Sequence, residues 1–426
     1  MTVPPMTLAE KIIAKAAGRA SVSPGEVVTV RVDLAMIHDS GGPRRVEPIL
    51  KRLGVGLFDR EKVVLISDHY VPGDTDEGAA ILALTREWAK ERQVAFYDGE
   101  GICHVVLPER GHLKPGMLVV GGDSHSPTGG AFGAYMFGVG ATEMAGVLAT
   151  GEIWLRVPET IRIEWTGKLG PRLMAKDMVL AMCGRLGMDG GRYQAIEYAG
   201  ETVRSLSMQE RMTLSNMAAE LGAQAGLIAP DRTTIDWLAG HGGTDLPDPT
   251  DWQSDPDAPV AETHFFNAGE LAPQVAAPHS PANAAPVTDY EPTPIDVAYI
   301  GACTGAKYVD LKAAAEIIRG RRLAKGVELL VAPASKRDQD QAARDGIMQV
   351  LEDAGAKVLP NACGICAGYG SARLGENVTC ISTTARNFRG RMGAKSSMVY
   401  LGSPYTVAAS AIAGRITDPR EVGAGA

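Results

Sequence analysis

Apolar segments that end in polar residues recur along this chain and restrict its fold more than any other sequence feature. Examples are KVVLISD (62–68), MLVVGGDSH (117–125) and DVAYIGACT (296–304). Helical patterns follow such segments, and this alternation is typical of strand–loop–helix units around a parallel sheet. Open α/β sheets bind ligands beyond the carboxyl ends of their strands. The sequence therefore predicts an α/β fold whose functional residues lie in the loops that follow strands.

These segments divide the 426 residues into three predicted α/β domains with mostly parallel sheets. The first covers 1–130 and is interleaved with the second, which covers 131–291. Within the second, a Pro-, Ala- and Asp-rich stretch at 240–291 is predicted to be an irregular connection. The strand–helix alternation restarts in the third domain, 292–426. Five further elements are predicted: a strand over 27–34 and helices over 7–18 (Thr7 as N-cap, with Glu10 completing a capping box), 131–150, 206–228 and 337–354.

The overall charge argues against several classes of function. With a net charge of −8, the chain has no bulk attraction for nucleic acid or an anionic membrane, so neither is predicted as a partner. The N-terminal segment has no apolar core of signal-peptide length, and no stretch approaches a membrane span. We therefore expect a cytoplasmic protein. An anionic substrate would have to be bound by individual arginines.

Three of the six cysteines form a suggestive set: Cys303 in GACTG, and Cys363 and Cys366 in CGIC. A Cys-x-x-Cys pair can bind zinc, act as a redox pair or ligate an iron–sulfur cluster. Structural zinc needs four ligands, and a redox pair needs no third cysteine. Three thiolates would leave one iron of a cubane cluster free to bind substrate as a Lewis acid. By themselves the residues also fit a buried core thiol beside an unrelated Cys-x-x-Cys.

Histidines and carboxylates form a second set. Asp68 and His69 are adjacent after one strand, and Asp123 and His125 end another. His104 lies between these two pairs, in the loop GICH. A dehydration needs an acid for the leaving hydroxyl and a base for the neighbouring carbon, and a carboxylate fixes the tautomer of a paired imidazole. The segment ARNFRGR adds Arg386, Arg389 and Arg391, whose guanidinium groups suit carboxylates. Each of these features alone also fits an ordinary polar loop.

Taken in order, these motifs resemble the aconitase superfamily along nearly the whole chain. Within it, the chain is most similar to the group of 3-isopropylmalate dehydratase and homoaconitase large subunits. The matching segments are TLAEKI, VDLAMIHD, DHYVP, GICHVVLPERGHLKPG, GGDSHSPTGGAFGA, FGVGATEMAGVLATGEIW, IEYAGE, LSMQERMTLSNMAAELGAQAGLIAPD, GACTG, CGIC and ARNFRGRMG.

The resemblance implies a hydro-lyase acting on a small hydroxy-dicarboxylic acid, most similar to the 3-isopropylmalate dehydratase type. It implies a [4Fe–4S] cluster with one iron not ligated by protein, held by Cys303, Cys363 and Cys366. It further implies three carboxylate–histidine pairs: Asp68 with His69, Asp123 with His104, and Glu220 with His125. Ser124 and Asn216 would lie near the substrate or cluster, and Arg386 and Arg391 would bind substrate carboxylates.

The resemblance also shows what differs. The family's swivelling fourth domain, which carries its serine base, would have to be a separate small subunit in a heterodimer or heterotetramer. Where the family has Cys-Thr-Asn, this chain has Gly305, and where the family has Asn before the first arginine of NRNF, it has Ala385. The pattern after Asp-Ser-His also departs, at 126–129. These differences are expected to change the surroundings of the cluster.

Several alternatives stay open at this point. The substrate could be a methylmalate, a dimethylmalate or homoaconitate, or, in a divergent member, a hydroxyproline or a phosphorylated hydroxy acid. A regulatory RNA-binding protein and a structural zinc protein are the alternatives from other classes. Salt-dependent RNA binding and metal analysis would distinguish these two.

Overall fold

Four β-sheets organise the chain in the computed structural model, which describes residues 4–369 and 372–423. The strands in this part of the chain are β1 (Val27–Arg31), β2 (Leu34–His38), β3 (Val63–Ser67), β4 (Ala95–Asp98), β5 (Leu118–Gly121), β6 (Tyr135–Gly138), β7 (Glu152–Arg156), β8 (Thr160–Thr166), β9 (Ala195–Ala199), β10 (Ala225–Ile228), β11 (Glu262–Asn267), β12 (Gln274–Ala276), β13 (Ala284–Pro286), β14 (Val297–Ile300), β15 (Glu328–Val331), β16 (Lys357–Val358), β17 (Thr379–Ser382) and β18 (Met398–Gly402).

The α-helices of the same residues are α1 (Leu8–Ala16), α2 (Pro43–Leu53), α3 (Asp76–Arg92), α4 (Cys103–Glu109), α5 (Ala141–Thr150), α6 (Ala175–Leu186), α7 (Glu201–Ser205), α8 (Met208–Asn216), α9 (Arg232–Gly240), α10 (Tyr308–Ile318), α11 (Lys336–Arg344), α12 (Ile347–Ala354) and α13 (Pro404–Ala413). In α1, Thr7 accepts a hydrogen bond from the Glu10 backbone, and the Glu10 carboxylate accepts one from the Thr7 backbone. The predicted capping box is therefore confirmed.

Two of the sheets are entirely parallel. The first has the order β4-β3-β2-β5-β6, and the second has the order β10-β9-β8-β11. The β2, β3 and β5 side chains are all buried, because helices cover both faces of a parallel sheet. These continuous apolar strands are the ones that the sequence shows most clearly.

The third sheet is mixed, with the order β13-β12-β18-β17-β14-β15-β16. Its strands from β18 to β16 are parallel, and β12 pairs antiparallel with both β18 and β13. A two-stranded antiparallel sheet of β1 and β7 completes the set. The predicted fold class, α/β with mostly parallel sheets, is confirmed. Where the domains divide stays a prediction, and residues 1–3, 370, 371 and 424–426 within them lie outside the described residues.

Four predicted elements are wrong in part. The helix over 131–150 is only α5, because a 3₁₀ helix (Ser126–Phe132) ends at Gly133 with φ +70° and β6 then joins the first sheet. The helix over 206–228 breaks after α8 into a 3₁₀ helix (Met217–Leu221) and β10. Gly346, with φ +70°, divides the helix over 337–354 into α11 and α12. The strand over 27–34 divides into β1 and β2, which belong to different sheets.

The stretch 240–291 is less irregular than predicted. Its strand β11 pairs along its whole length with β8 at the edge of the second sheet, and β12 and β13 extend the third sheet. None of the described helices is both long and apolar enough to cross a membrane.

Candidate active site

The loops that carry the predicted site residues follow the carboxyl ends of strands in two sheets. In the first sheet, β2 lies between β3 and β5, so their connections run to opposite sides and leave a crevice beyond β2. Asp68 and His69 follow β3, and Asp123, Ser124 and His125 follow β5.

The third sheet has the same arrangement around β14, which lies between β15 and β17. Cys303 follows β14, and Arg386 follows β17. A 3₁₀ helix (Gly364–Ala367) lies in the loop after β16. Cys363 directly precedes this helix, and Cys366 lies within it. The crevices of the two sheets therefore face one site.

One enclosed cavity brings residues from both sheets together. It is lined by the three predicted cluster cysteines and by five of the predicted histidines and carboxylates: Cys303, Cys363, Cys366, Asp68, His69, His104, Asp123 and His125. A second, more open cavity of about 360 Å³ adjoins it and shares His69, Asp123 and Arg391. Ser124 and Arg386 line this outer cavity. Such a space suits a small acid with access from solvent.

The first carboxylate–histidine pair is short and fully buried. His69 Nδ1 lies 2.6 Å from Asp68 Oδ1, and the other Asp68 oxygen accepts a hydrogen bond from the Cys103 backbone. Burial disfavours a charged ring, but Asp68, Asp39 and Asp123 outweigh it and raise the pKa of His69 to about 10. The ring is therefore protonated at neutral pH, and its Nε2 lies 3.9 Å from Asp123 Oδ2 on the cavity side.

The other two predicted pairs are also present. His104 Nε2 lies 2.7 Å from Asp123 Oδ1, and His125 Nε2 lies 3.1 Å from Glu220 Oε1. Burial opposes ionisation of the Asp123 and Glu220 carboxyl groups. Their histidine partners nevertheless lower the pKa of Asp123, and Arg386 and His125 together lower the pKa of Glu220 to about 2. Burial and Arg386 lower the pKa of His125, but Glu220 and Asp123 raise it above its ordinary value. Asp123 and Glu220 are therefore favoured as carboxylates, and Glu220 lies next to an imidazole, that of His125, which tends to keep its proton.

The two predicted substrate-binding arginines differ in their contacts. Arg386 donates from Nε to Glu220 Oε1 at 2.5 Å and from a terminal nitrogen to Ser124 Oγ at 2.9 Å. Arg391 lies beside the Cys366 thiol, and its Nε has no hydrogen-bond partner among the described residues. Both line the outer cavity, whereas Arg389 is exposed and does not line it. The arrangement leaves cationic donors free for an anionic ligand.

Asn216 links helix α8, which precedes strand β10 of the second sheet, to Cys303. It ends α8, and its amide nitrogen donates to Cys303 Sγ at 3.2 Å and to Thr128 Oγ1 at 2.7 Å. Thr128 in turn donates to the backbone oxygen of His125. Thr128 lies in the 126–129 segment that departs from the family pattern, and this contact shows that it orients Asn216.

The donor set fits a metal cluster held by three thiolates. The three cysteines come from two loops and are unpaired as disulfides. Buried polar atoms around them lack a protein partner in the described part of the chain: His104 Nδ1, Asn216 Oδ1, Glu220 Oε2 and Arg391 Nε. Burial raises the pKa of Cys303 to about 12, while a hydrogen bond from Cys363 and the Arg391 guanidinium lower that of Cys366 to about 5 despite burial. Thiolate formation at Cys366 is therefore supported by the protein itself.

Two residues at the end of β2 belong to this site and were missed by the sequence analysis. The His38 ring stacks on His69 with centroids 4.2 Å apart, and its Nε2 lies 2.9 Å from the Gly122 oxygen. Asp39 accepts backbone hydrogen bonds from Ser40, His69 and Tyr70 at 2.8–3.1 Å. Both lie in VDLAMIHD, so the rule that polar residues follow buried strands could have identified them.

Two of the departures from the family pattern, Gly305 and Ala385, are buried near the cysteines. Ala385 lines the enclosed cavity. Gly305 packs so closely on Thr383 that a Cβ atom at Gly305 would lie 2.1 Å from the Thr383 Cβ. The space for a larger side chain at 305 is therefore filled by Thr383.

Comparisons with known proteins agree with this geometry. The model of the aconitase family (aconitate hydratase) matches residues 11–294 and 288–414. The 3-isopropylmalate dehydratase large subunit 1 of Methanopyrus kandleri is 45% identical, over 97% of this chain and 99% of its own. A probable methanogen homoaconitase large subunit of Methanothermobacter thermautotrophicus is 44% identical over 98% of each chain. The 3-isopropylmalate dehydratase large subunit of Aquifex aeolicus is 42% identical, again over 98% of each.

Proposed function

The chain belongs to the aconitase family, and from this we propose that it is the large subunit of a 3-isopropylmalate dehydratase-type hydro-lyase. Such an enzyme removes water from a small hydroxy-dicarboxylic acid and adds it back at the neighbouring carbon. The observation that carries the proposal is the convergence of three cysteines and two carboxylate–histidine pairs on one enclosed cavity. An acid, a base and a cluster site are the components that this chemistry requires.

Cys303, Cys363 and Cys366 are proposed to hold a [4Fe–4S] cluster. When bound, this group supplies an iron without a protein thiolate, which acts as a Lewis acid on the substrate hydroxyl. Asn216 would donate its hydrogen bond to a ligand sulfur, as it does to Cys303 Sγ. Among the residues that the structure describes, three cysteines and no fourth line the cavity, which suits one open iron.

The protein's own groups have separate proposed roles. His69, protonated and held by Asp68, would give its Nε2 proton to the leaving hydroxyl. Arg386 and Arg391 would hold the substrate carboxylates, with Ser124 fixing the orientation of Arg386. The pairs His104–Asp123 and His125–Glu220 would keep the remaining rings in place and complete the polar wall of the site.

A separate small subunit is the proposed partner. The relatives named above are all called large subunits, and this chain matches them along nearly their whole length. The outer cavity opens to solvent at Ser124 and Arg386, so a second protein could add groups there. In this proposal, that subunit supplies the base that takes the proton from carbon.

Homoaconitate is the second candidate substrate, because an additional cation is available. Arg45, an exposed residue of α2, lines the same outer cavity as Arg386 and Arg391. A third arginine suits a third carboxylate, which homoaconitate has and isopropylmalate lacks. The similarity to a homoaconitase large subunit is consistent with this alternative.

The cluster is tested by iron and sulfide analysis of anaerobically purified protein. Separate substitutions C303S, C363S and C366S should each cause loss of most of the iron, because three thiolates leave no spare ligand. C183S is the control, since Cys183 is a buried thiol in α6 that does not line the cavity. Full iron content in any of the three site variants would contradict the proposal.

The substrate is tested with the reconstituted large and small subunits. We expect turnover of 3-isopropylmalate to exceed that of homoaconitate, methylmalate and dimethylmalate. R45Q should leave dicarboxylate turnover nearly unchanged if isopropylmalate is the substrate. If homoaconitate is preferred and R45Q raises its KM by about tenfold, as expected for a lost charged hydrogen bond, the second candidate is correct.

A further inference from the structure

A buried lysine behind the cysteines has no role in the site described above. Lys176, the second residue of α6, is 2% exposed, and its ammonium group points toward the loops that follow β14 and β17. Nζ donates to the backbone oxygens of Thr384 at 2.7 Å and Thr383 at 3.1 Å. It also lies 3.4 Å from Thr304 Oγ1 and 3.4 Å from Met217 Sδ. All of these acceptors are uncharged.

The other fully buried cations of comparable size each have a carboxylate. Lys307 Nζ lies 2.8 Å from Asp310 Oδ2, and Arg211 lies 2.6 Å from Asp231 Oδ2. Within the described residues, no carboxylate oxygen lies within 4.0 Å of Lys176 Nζ. An isolated ammonium group in a protein interior is costly unless an anion compensates it. Lys176 therefore lacks a counter-charge of the usual kind.

Burial lowers the pKa of Lys176 to about 8, and nearby groups that can carry negative charge oppose this effect. Glu220 has the largest opposing effect, followed by Cys303, Cys366 and Cys183, so three of these four groups belong to the site. Its hydrogen-bond partners also adjoin site residues: Thr304 follows Cys303, Thr384 precedes Ala385 and Arg386, and Met217 follows Asn216. One ammonium group thus fixes three segments that carry the site.

We propose that Lys176 is a positioning residue whose ammonium group is the counter-cation of the three-thiolate cluster and sets its reduction potential. This inference rests on the proposed function, since it requires the cluster. A buried positive charge near a cluster stabilises the form with one more electron. Lys176 also holds the loop of Cys303 against the loop of Arg386, so the protein retains the cluster longer.

The experiment is an EPR-monitored redox titration of the reconstituted, cluster-loaded protein. K176M removes the charge with a side chain of similar length, and K176R keeps a charge at the same position. T304V is the matched control, because it removes a hydroxyl from the same contact without changing any charge. We expect a lower midpoint potential and faster cluster loss in air for K176M, with K176R closer to the unsubstituted protein and T304V near its value.

K176Q keeps the experiment informative if K176M does not fold, because its amide can still donate to the Thr383 or Thr384 oxygen. It should lower the potential in the same direction. An unchanged potential in the folded neutral variants, or an equal shift in T304V, would overturn the inference. That result differs from failure of the proposed function, in which the unsubstituted protein itself would bind no iron and sulfide.

Discussion

At the scale of single residues, Asp39 determines the position of the Asp68–His69 pair. One oxygen accepts from the backbones of Ser40 and His69, and the other accepts from that of Tyr70. Because the side chain is completely buried, water cannot replace these hydrogen bonds. The carboxylate therefore holds the loop after β3 against the end of β2.

Asp39→Asn should reduce turnover by about 10–100-fold, the usual effect of losing a partner that orients a site group. The amide keeps one acceptor but turns an NH₂ toward a backbone N–H, at a stability cost of about 1–3 kcal/mol. Steady-state kinetics and urea unfolding measure the two effects. Asp248→Asn is the control, because Asp248 caps an exposed 3₁₀ turn, where Asn serves equally well. Equal behaviour of the two variants would contradict the role of Asp39.

Gly305 shows how a departure from the family pattern is compensated locally. Since an added Cβ would lie 2.1 Å from Thr383 Cβ, Gly305→Ala must displace the loop after β17. We expect a loss of about 1–3 kcal/mol in the free energy of unfolding, as for other overpacked cores. Gly56→Ala has no atom within 4 Å of the new Cβ and should change stability by less than about 0.5 kcal/mol. Thermal unfolding of both variants tests this, and a neutral Gly305→Ala would contradict it.

At the scale of elements, the sequence predicts best where strands are buried on both faces. β3, β5 and β14 read as continuous apolar runs, so the residues that follow them were correctly placed in loops. β6 was missed because its apolar residues continue into α5, and a short apolar run fits either a helix or a strand. β11 was missed because it lies at a sheet edge with half-exposed side chains, where pairing with β8 decides its conformation.

The same reasoning explains what could be predicted of the site. The carboxylate–histidine pairs follow from the resemblance, and the structure shows them as contacts of 2.6–3.1 Å. The burial of Lys176 could not be predicted, since a lysine near the start of an amphipathic helix usually faces solvent. Only the packing of α6 under two loops of the third sheet makes it an interior cation.

Helices α4 and α11 meet through a buried carboxyl group that should make stability depend on pH. Glu109 accepts a hydrogen bond from Ser335 at 2.9 Å, and burial with the nearby Asp338 raises its pKa to about 8. A raised pKa contributes stability below the ordinary value of 4.5, and this contribution is lost as pH rises through about 8. The packing of α4 on α11 is therefore favoured by the neutral acid.

Glu109→Gln should stay neutral at every pH and remove this dependence. Relative to the unsubstituted protein, the variant should have similar stability near pH 5 and become relatively more stable toward pH 8, because only the natural carboxyl group ionises. Urea unfolding at several pH values measures the difference. Glu61→Gln, in an exposed turn, controls for the general effect of removing a carboxylate. A difference that does not vary with pH would contradict the raised pKa.

At the scale of the whole molecule, the site exists only where three sheets come together. The first sheet contributes the loops after β3 and β5, the third contributes the cysteines and arginines, and the segment before β10 contributes Asn216 and Glu220. Hydrogen bonds connect the loops of different sheets. For example, the Cys363 backbone N–H donates to the Asp68 backbone oxygen at 2.8 Å. Binding of a cluster to folded protein should therefore stabilise all three units together.

The outer cavity leads to the last prediction, which concerns catalysis by the chain alone. His69, Ser124 and Arg386 line a space of about 360 Å³ that is open on one side, so substrate there would stay in contact with water. Closing an active site strengthens its electrostatic interactions and aligns the reacting groups. The isolated, cluster-loaded chain should therefore show no measurable dehydration of 3-isopropylmalate.

Activity should appear on titration with the small subunit and saturate at equal amounts of the two chains. A cluster-loaded C183S variant should respond in the same way, because Cys183 lines neither the enclosed nor the outer cavity. Turnover by the isolated chain at the rate of the mixture would show that the site is already complete.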